Sequence, residues 1–154
     1  MPEKGQADSV AFRRKHGLPG LGQKGGAPFS ARVDLQTLGL SRRELDVVDC
    51  AFLLFQKRDG KVPATLVVDT SQSVLREPWK CDGHCMSFHV GGKYFYQGRV
   101  LSAQTCFNMM GWPRATAVLP PKTSQSAVAR LVGNTVATPV IGAVFSALLR
   151  EVQL

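Results

Sequence analysis

Three groups of residues in this chain have the types and spacing for chemistry. The first, Gly133-Asn134-Thr135-Val136-Ala137-Thr138-Pro139, runs straight into the apolar stretch Val140 to Leu149. Gly133 and Asn134 suit a left-handed or tight backbone, Thr138 can cap a helix, and Pro139 fits a first helical position. Such a loop presents backbone amides beside a helix start and can hold a small polar ligand, although the same composition also makes an ordinary helix entry. The second group, Cys81-Asp82-Gly83-His84-Cys85 with His89 and Cys106 further on, offers sulfur and imidazole to zinc. It lacks two clean Cys-x-x-Cys knuckles, and His84 adjoining Cys85 is awkward in a tetrahedral site, so no metal is assigned. The third, Ser71 and Ser73 with His84 and His89, would serve a hydrolase, but no Gly-x-Ser-x-Gly elbow accompanies them.

Upstream of the first group lies Gly98-Arg99-Val100-Leu101-Ser102-Ala103-Gln104-Thr105-Cys106-Phe107-Asn108-Met109-Met110-Gly111-Trp112-Pro113. In order and separation the pair resembles the last two motifs of the DNA cytosine-5 methyltransferases, covering about the last 60 residues well. The family reads roughly Arg-x-Leu-Thr-x-Arg-Glu, then Leu-Gln-Gly-Phe-Pro, then Gly-Asn-Ser-Val with a proline three residues on. The resemblance implies that Asn134, Thr135 and Val136 complete an S-adenosylmethionine pocket. It also implies that Leu101 to Pro113 braces a target-recognition region, with Arg99 where the family has its arginine. Several positions depart from the pattern. The family's Arg-Glu pair falls on Gln104 and Thr105, its Gln before Gly on Met110, and its Phe on Trp112.

None of Cys50, Cys81, Cys85 or Cys106 follows a proline, so the family's Pro-Cys nucleophile has no counterpart here. A Gly-rich cofactor turn and a Glu-Asn-Val segment are missing too. Without an activated thiolate there is no covalent attack on a pyrimidine. The expectation is therefore a chain inactive alone, using S-adenosylmethionine only with a complementary catalytic half. The alternative is a non-enzymatic remnant that binds DNA or a protein.

The chain has 154 residues, 44% of them apolar, enough to bury a core. A complete doubly wound methyltransferase needs several strand-helix units of about 30 residues each plus a recognition region. The expected fold class is thus partial α/β: the C-terminal fragment of a doubly wound methyltransferase-type fold with a small β-containing recognition region. Nineteen basic against eleven acidic residues give a formal charge of +8. That field favours polyanions and supplies the sequence-blind, salt-sensitive part of DNA affinity. Duplex DNA is the expected partner, with Arg76, Lys93 and Arg99 as candidate DNA-binding residues. Met1 to Asp8 is polar and Val10 to Phe12 too brief for a signal core, and Val136 to Leu149 falls short of a membrane span. An intracellular location, nuclear in a eukaryote, with reduced thiols and no membrane follows as an expectation.

The elements that must position these residues divide the chain in three. Residues 1–37 read as a basic flexible lead-in with Pro-Gly and Gly-Gly turns. Residues 38–132 read as a target-recognition-like region with its bracing motif, and residues 133–154 as a cofactor-side loop and terminal helix. Ser41-Arg42-Arg43-Glu44 is a capping box, and Leu45, Val48, Phe52 and Phe55 recur at helical spacing, so Arg42, Arg43, Asp46 and Asp49 are expected towards solvent. Ala64 to Asp69 reads as a strand ending in the polar cluster Asp69 to Ser73. That cluster is a capped turn on the simpler account and a ligand-presenting loop on the other. Lys93 to Gln97 reads as a second strand, with Tyr94 and Tyr96 on one face. Ser102 caps a short helix through Met110 closed by Gly111, and Ser124 or Ser126 starts a helix through Leu131 that Gly133 ends. The last helix begins at Pro139 and offers a broad apolar face for a sheet. Trp112 is a hydrophobic plug or, on a second reading, a stacking platform for a base.

Overall fold

A computed structural model describes residues 4–33, 38–112, 123–135 and 138–152. The helices are α1 (Lys4–His16), α2 (Arg42–Asp59), α3 (Ala103–Met109), α4 (Gln125–Asn134) and α5 (Thr138–Val152), and the strands are β1 (Val67–Asp69), β2 (Trp79–Lys80), β3 (Tyr94–Tyr96) and β4 (Arg99–Val100). They gather into two compact units, one of Met1–Ser87 with Gly92–Val100, the other of Phe88–Gly91 with Leu101–Leu154.

In the first unit the α2 capping box forms as its sequence predicts: Ser41 accepts from the Glu44 amide and Glu44 accepts from the Ser41 amide. Gly60 closes the helix in a left-handed conformation, φ 72°. The helix buries Leu45, Val47, Val48, Cys50, Ala51, Leu53 and Phe55, a stripe wide enough to face two neighbours. One neighbour is an antiparallel sheet in the order β2-β1-β3-β4. Alternation sorts its side chains. Val68 pairs with Trp79 and Phe95, and Phe95 with Val100, and this row joins the core. Val67 pairs with Lys80 and Tyr96, and Tyr96 with Arg99, so that row points to the opposite face. The strands are shorter than the sequence suggests. Thr65 lies in a turn that the Leu66 amide closes on the Pro63 carbonyl (3.1 Å), which leaves only Val67 to Asp69 extended.

The other neighbour of α2 is α1, where the sequence suggests a flexible lead-in. The two helices run side by side in the same direction: Gly5 lies against Arg43, Ser9 Oγ is 3.5 Å from Cys50 Sγ, and Lys57 Nζ reaches the His16 carbonyl at 2.8 Å. Ser9, Phe12 and Arg13 are the buried residues that fix it. Phe12 meets Trp79 edge-on at 5.6 Å. Arg13, 2% exposed, pairs with Asp46 and donates to the carbonyls of Pro19 and Gly26, both at 2.8 Å. Asp49 does the same for the next stretch, accepting from the amides of Phe29 (2.8 Å) and Ser30 (3.1 Å). Asp49 is therefore buried and Asp46 and Arg43 are half-buried, each held by partners, while Arg42 faces solvent as expected. The helical spacing of α2 cannot reveal this, because what covers its polar side comes from residues far away in sequence. Parallel helices place two negative C-terminal ends together; Lys57 donates to the carbonyls of His16 and Gly17 there, and Arg14 and Lys15 sit in the last turn of α1.

The second unit is helical and has no strand among its described residues, so within it α5 has no sheet to lie on. Val140 and Val144 are each 54% exposed and Phe145 61%. The architecture is thus mixed, helices with one small antiparallel sheet, and no parallel strand pair occurs among the described residues.

Replacing Arg13 by Met should cost about 3 kcal/mol, because Asp46 and two loop carbonyls lose their donor at once. Urea unfolding gives the figure, and limited proteolysis should show cleavage near Gly20 to Gly26; an unchanged midpoint would remove Arg13 from this role.

Candidate functional site

The brace-like segment begins at a tight hairpin. Tyr96 pairs with Arg99 across Gln97-Gly98, whose φ values of 46° and 81° are both left-handed, the two-residue connection that matches strand twist. Glycine meets that demand freely and Gln97 adopts it as a non-glycine residue. Ser102 then caps α3, accepting from the Thr105 amide at 3.1 Å, and Gly111 follows the helix with φ 79°. The two positions that carry an ion pair in the family are satisfied locally here. Thr105 Oγ1 lies 2.9 Å from Ser102 Oγ, and Gln104 donates to Asn108 at 2.7 Å. Cys106 and Phe107 are buried, while Trp112 is part-exposed, with its amide on the Phe107 carbonyl at 2.8 Å.

The polar cluster after β1 is a capped turn. Asp69 accepts from the Ser71 amide (3.0 Å) and hydroxyl (2.6 Å), and Ser73 caps a short 3-10 helix from Val74 to Arg76. Arg43, which the sequence does not single out, organises the turn: its guanidinium donates to the carbonyls of Thr70 (3.2 Å), Ser71 (3.1 Å) and Gln72 (2.8 Å). Ser73 also donates to Asp8 of α1 at 2.7 Å. No motif marks these partners, since they are brought together only by the packing of α1 on α2.

The three candidate DNA-binding cations differ in availability. Lys93 is held by Glu44, Nζ to Oε1 3.0 Å, next to the polar turn. Arg99 is exposed on the edge strand β4, beyond the other end of β3. Arg76 is exposed in the 3-10 helix, with a 3.4 Å contact to Gln72. Burial pushes the Glu44 carboxyl up, but hydrogen bonds from Ser41 and the Lys93 ammonium outweigh it, and its pKa lies below the ordinary value of 4.5.

Of the residues expected to line a cofactor, Asn134 and Thr135 lie at a helix end and not in an open loop. Ser124 caps α4 as expected, accepting from the Ala127 amide, but the helix runs through Gly133 to Asn134. Gly133 has no positive φ. Its lack of a side chain serves packing, because a Cβ would overlap the Val90 amide nitrogen and the His89 carbonyl carbon. Thr135 closes the helix, its hydroxyl donating to the Leu131 carbonyl at 2.6 Å and its amide to Val132 at 3.2 Å. Asn134 is exposed, and Val136 lies outside the described residues.

The cysteines are free thiols, Cys50 and Cys106 buried, Cys81 and Cys85 half-buried. Burial, reinforced by Asp46, pushes Cys50 up to about 11, and burial also raises Cys85, so neither is an activated nucleophile. Among the described residues no His, Cys, Asp and Glu side chains form a group able to hold a metal. None of their helices is long and apolar enough to cross a membrane. His16 is half-buried, its ring 4.3 Å from that of Phe12. A cavity of about 750 Å³ opens between the start of α1, the segment Leu21 to Val33 and the first turns of α2, but its acids Asp46 and Asp49 are already bonded.

Gly133→Ala separates two accounts by sign. A mere helix glycine would gain up to about 1 kcal/mol on becoming alanine, whereas the backbone overlap predicts a loss of about 2 kcal/mol, measurable by thermal unfolding. For the Glu44–Lys93 pair, a depressed carboxyl pKa means stability present above pH 4.5 and lost as pH falls through the folded-state value. Lys93→Met should flatten that acid limb in a stability-against-pH series, and an unaltered slope would dismiss the pair. No protein-family model matches the chain, and neither does a curated protein or a solved structure.

Proposed function

We propose that the chain acts as the C-terminal segment of an S-adenosylmethionine-dependent DNA cytosine-5 methyltransferase-like protein. In that role it contributes DNA target binding and part of the cofactor pocket, and it is inactive alone. The reading is carried by the motif pair, Arg99 through Trp112 followed by Gly133 to Thr135, with the local geometry that each half adopts. The first half starts from a hairpin turn and a Ser102-capped helix; the second ends a helix at Asn134, whose side chain is exposed. Thr135, with its hydroxyl donated to Leu131, keeps lone pairs for a second contact. A complementary catalytic polypeptide would supply the cysteine that adds to the cytosine ring, with the base turned out of the duplex. Exposed apolar residues of the second unit, among them Met109, Leu131, Val140, Val144 and Phe145, support such a partner.

One observation favours the non-enzymatic alternative, a DNA- or protein-binding remnant. Gln104 and Thr105 satisfy each other's neighbourhood within α3 and leave no ionic anchor for a larger brace. Thermal unfolding with S-adenosylmethionine decides between the two. The donor should raise the melting temperature only when a complementary catalytic half is present, and Asn134→Ala should abolish that rise. A chain that binds duplex DNA yet never responds to the donor is the remnant.

A further inference from the structure

The cavity between the first turns of α1 and α2 and the segment from Leu21 to Val33 holds about 750 Å³. Small-molecule sites take roughly 300–1,000 Å³. Bonds made to the rest of the fold fix its walls: Arg13 holds the Gly26 carbonyl, and Asp49 holds the Phe29 and Ser30 amides and the Ser30 hydroxyl. A ligand would find the space already shaped, which lowers the ordering cost of binding.

The lining divides by chemistry. Leu21, Ala27, Ala31, Val33 and Leu45 give an apolar surface, with Leu45 buried and Leu21 41% exposed despite its size and hydrophobicity. Of the charged residues on the wall, Asp46 is paired with Arg13, Asp49 is bonded as above, and Arg43 donates to the carbonyls of Thr70, Ser71 and Gln72. Arg42 remains, exposed and with no described hydrogen bond or ion pair. Other exposed cations of this unit, such as Lys61, are equally without a partner; what sets Arg42 apart is its place on the wall of a cavity. Its own helix gives it no use. An arginine can pair with an acid four residues on, but that acid, Asp46, is held by Arg13. An arginine can also support a helix C-terminus, whereas Arg42 stands in the first turn of α2, where the macrodipole disfavours a cation. With both acids of the wall neutralised or bonded, the charge left facing the cavity is positive.

We propose that this cavity binds a small amphipathic anion, an apolar body carrying one carboxylate, with the carboxylate on the Arg42 guanidinium and the body against Leu21, Val33 and Leu45. The site lies within the first unit and includes neither Asn134 nor Thr135, so it goes beyond the methyl-donor reading and does not depend on it. Amide NMR of the full isotope-labelled chain, titrated with decanoate below its micelle concentration, tests it; decylammonium serves as the cation of equal chain length. Decanoate should saturate and shift the amides of Gly22, Ala31 and Arg42, and decylammonium should bind at least about tenfold more weakly. Arg42→Gln should weaken decanoate about tenfold, while Lys61→Gln, the same charge change at an exposed position off the cavity, should not. Ala31→Leu, which adds bulk at an exposed lining position, should also weaken it, and melting temperatures confirm that each variant is folded. Shifts confined to Val140, Val144 and Phe145 would place the probe on the exposed apolar helix α5 and overturn the site. Equal losses in Arg42→Gln and Lys61→Gln would overturn it too, as the general attraction of a +8 chain for anions. A wild-type chain with no saturable shift also overturns the site, and none of these results bears on the response to S-adenosylmethionine or to duplex DNA.

Discussion

The guanidinium of Arg13 is the contact on which the first unit depends. It is a buried charge on a helix that is marginal alone: α1 is thirteen residues long and has no acidic residue in its first turn. Packed on α2, the helix gives Arg13 a carboxylate in Asp46 and two carbonyls, Pro19 and Gly26, that would otherwise be buried without a donor. One side chain thereby decides the course of the chain between α1 and α2. Gly26 is a glycine for a matching reason, since a Cβ there would collide with the Gly20 carbonyl oxygen.

A formal charge of +8 says little about where a polyanion binds, because the fold consumes part of that charge. Arg43 holds the Asp69 to Ser73 turn by its carbonyls, Lys57 neutralises the end of α1, and Lys93 is committed to Glu44. Counting cations along the chain puts Lys93 level with Arg99; hydrogen-bond satisfaction separates them.

The glycine-asparagine segment carries a similar lesson about motifs. Glycine is chosen for a left-handed φ, for close approach, or for both, and the letters do not say which. At Gly98 and Gly111 it is the dihedral angle, 81° and 79°, and at Gly133 it is the backbone of His89 and Val90 pressing on a helix. The local geometry at this position is a helix end instead of the loop that the letters suggest.

Much was legible from residue order wherever a local rule was enough. The Ser41 capping box, the Ser102 and Ser124 caps, the Gly111 closure and the alternation of Tyr94, Phe95 and Tyr96 all follow from short-range hydrogen bonding and periodicity. Tertiary structure alone decided the rest. It turned the glycine-rich beginning into a packed helix and an anchored loop and gave Asp46 and Asp49 distant partners. It also appointed Arg43 to a turn nearly thirty residues away and opened a cavity beside Arg42. The physical reason is one of range. Caps and turns are settled by neighbours within a few residues, whereas burial, charge pairing and strand register depend on which distant segments the core brings into contact.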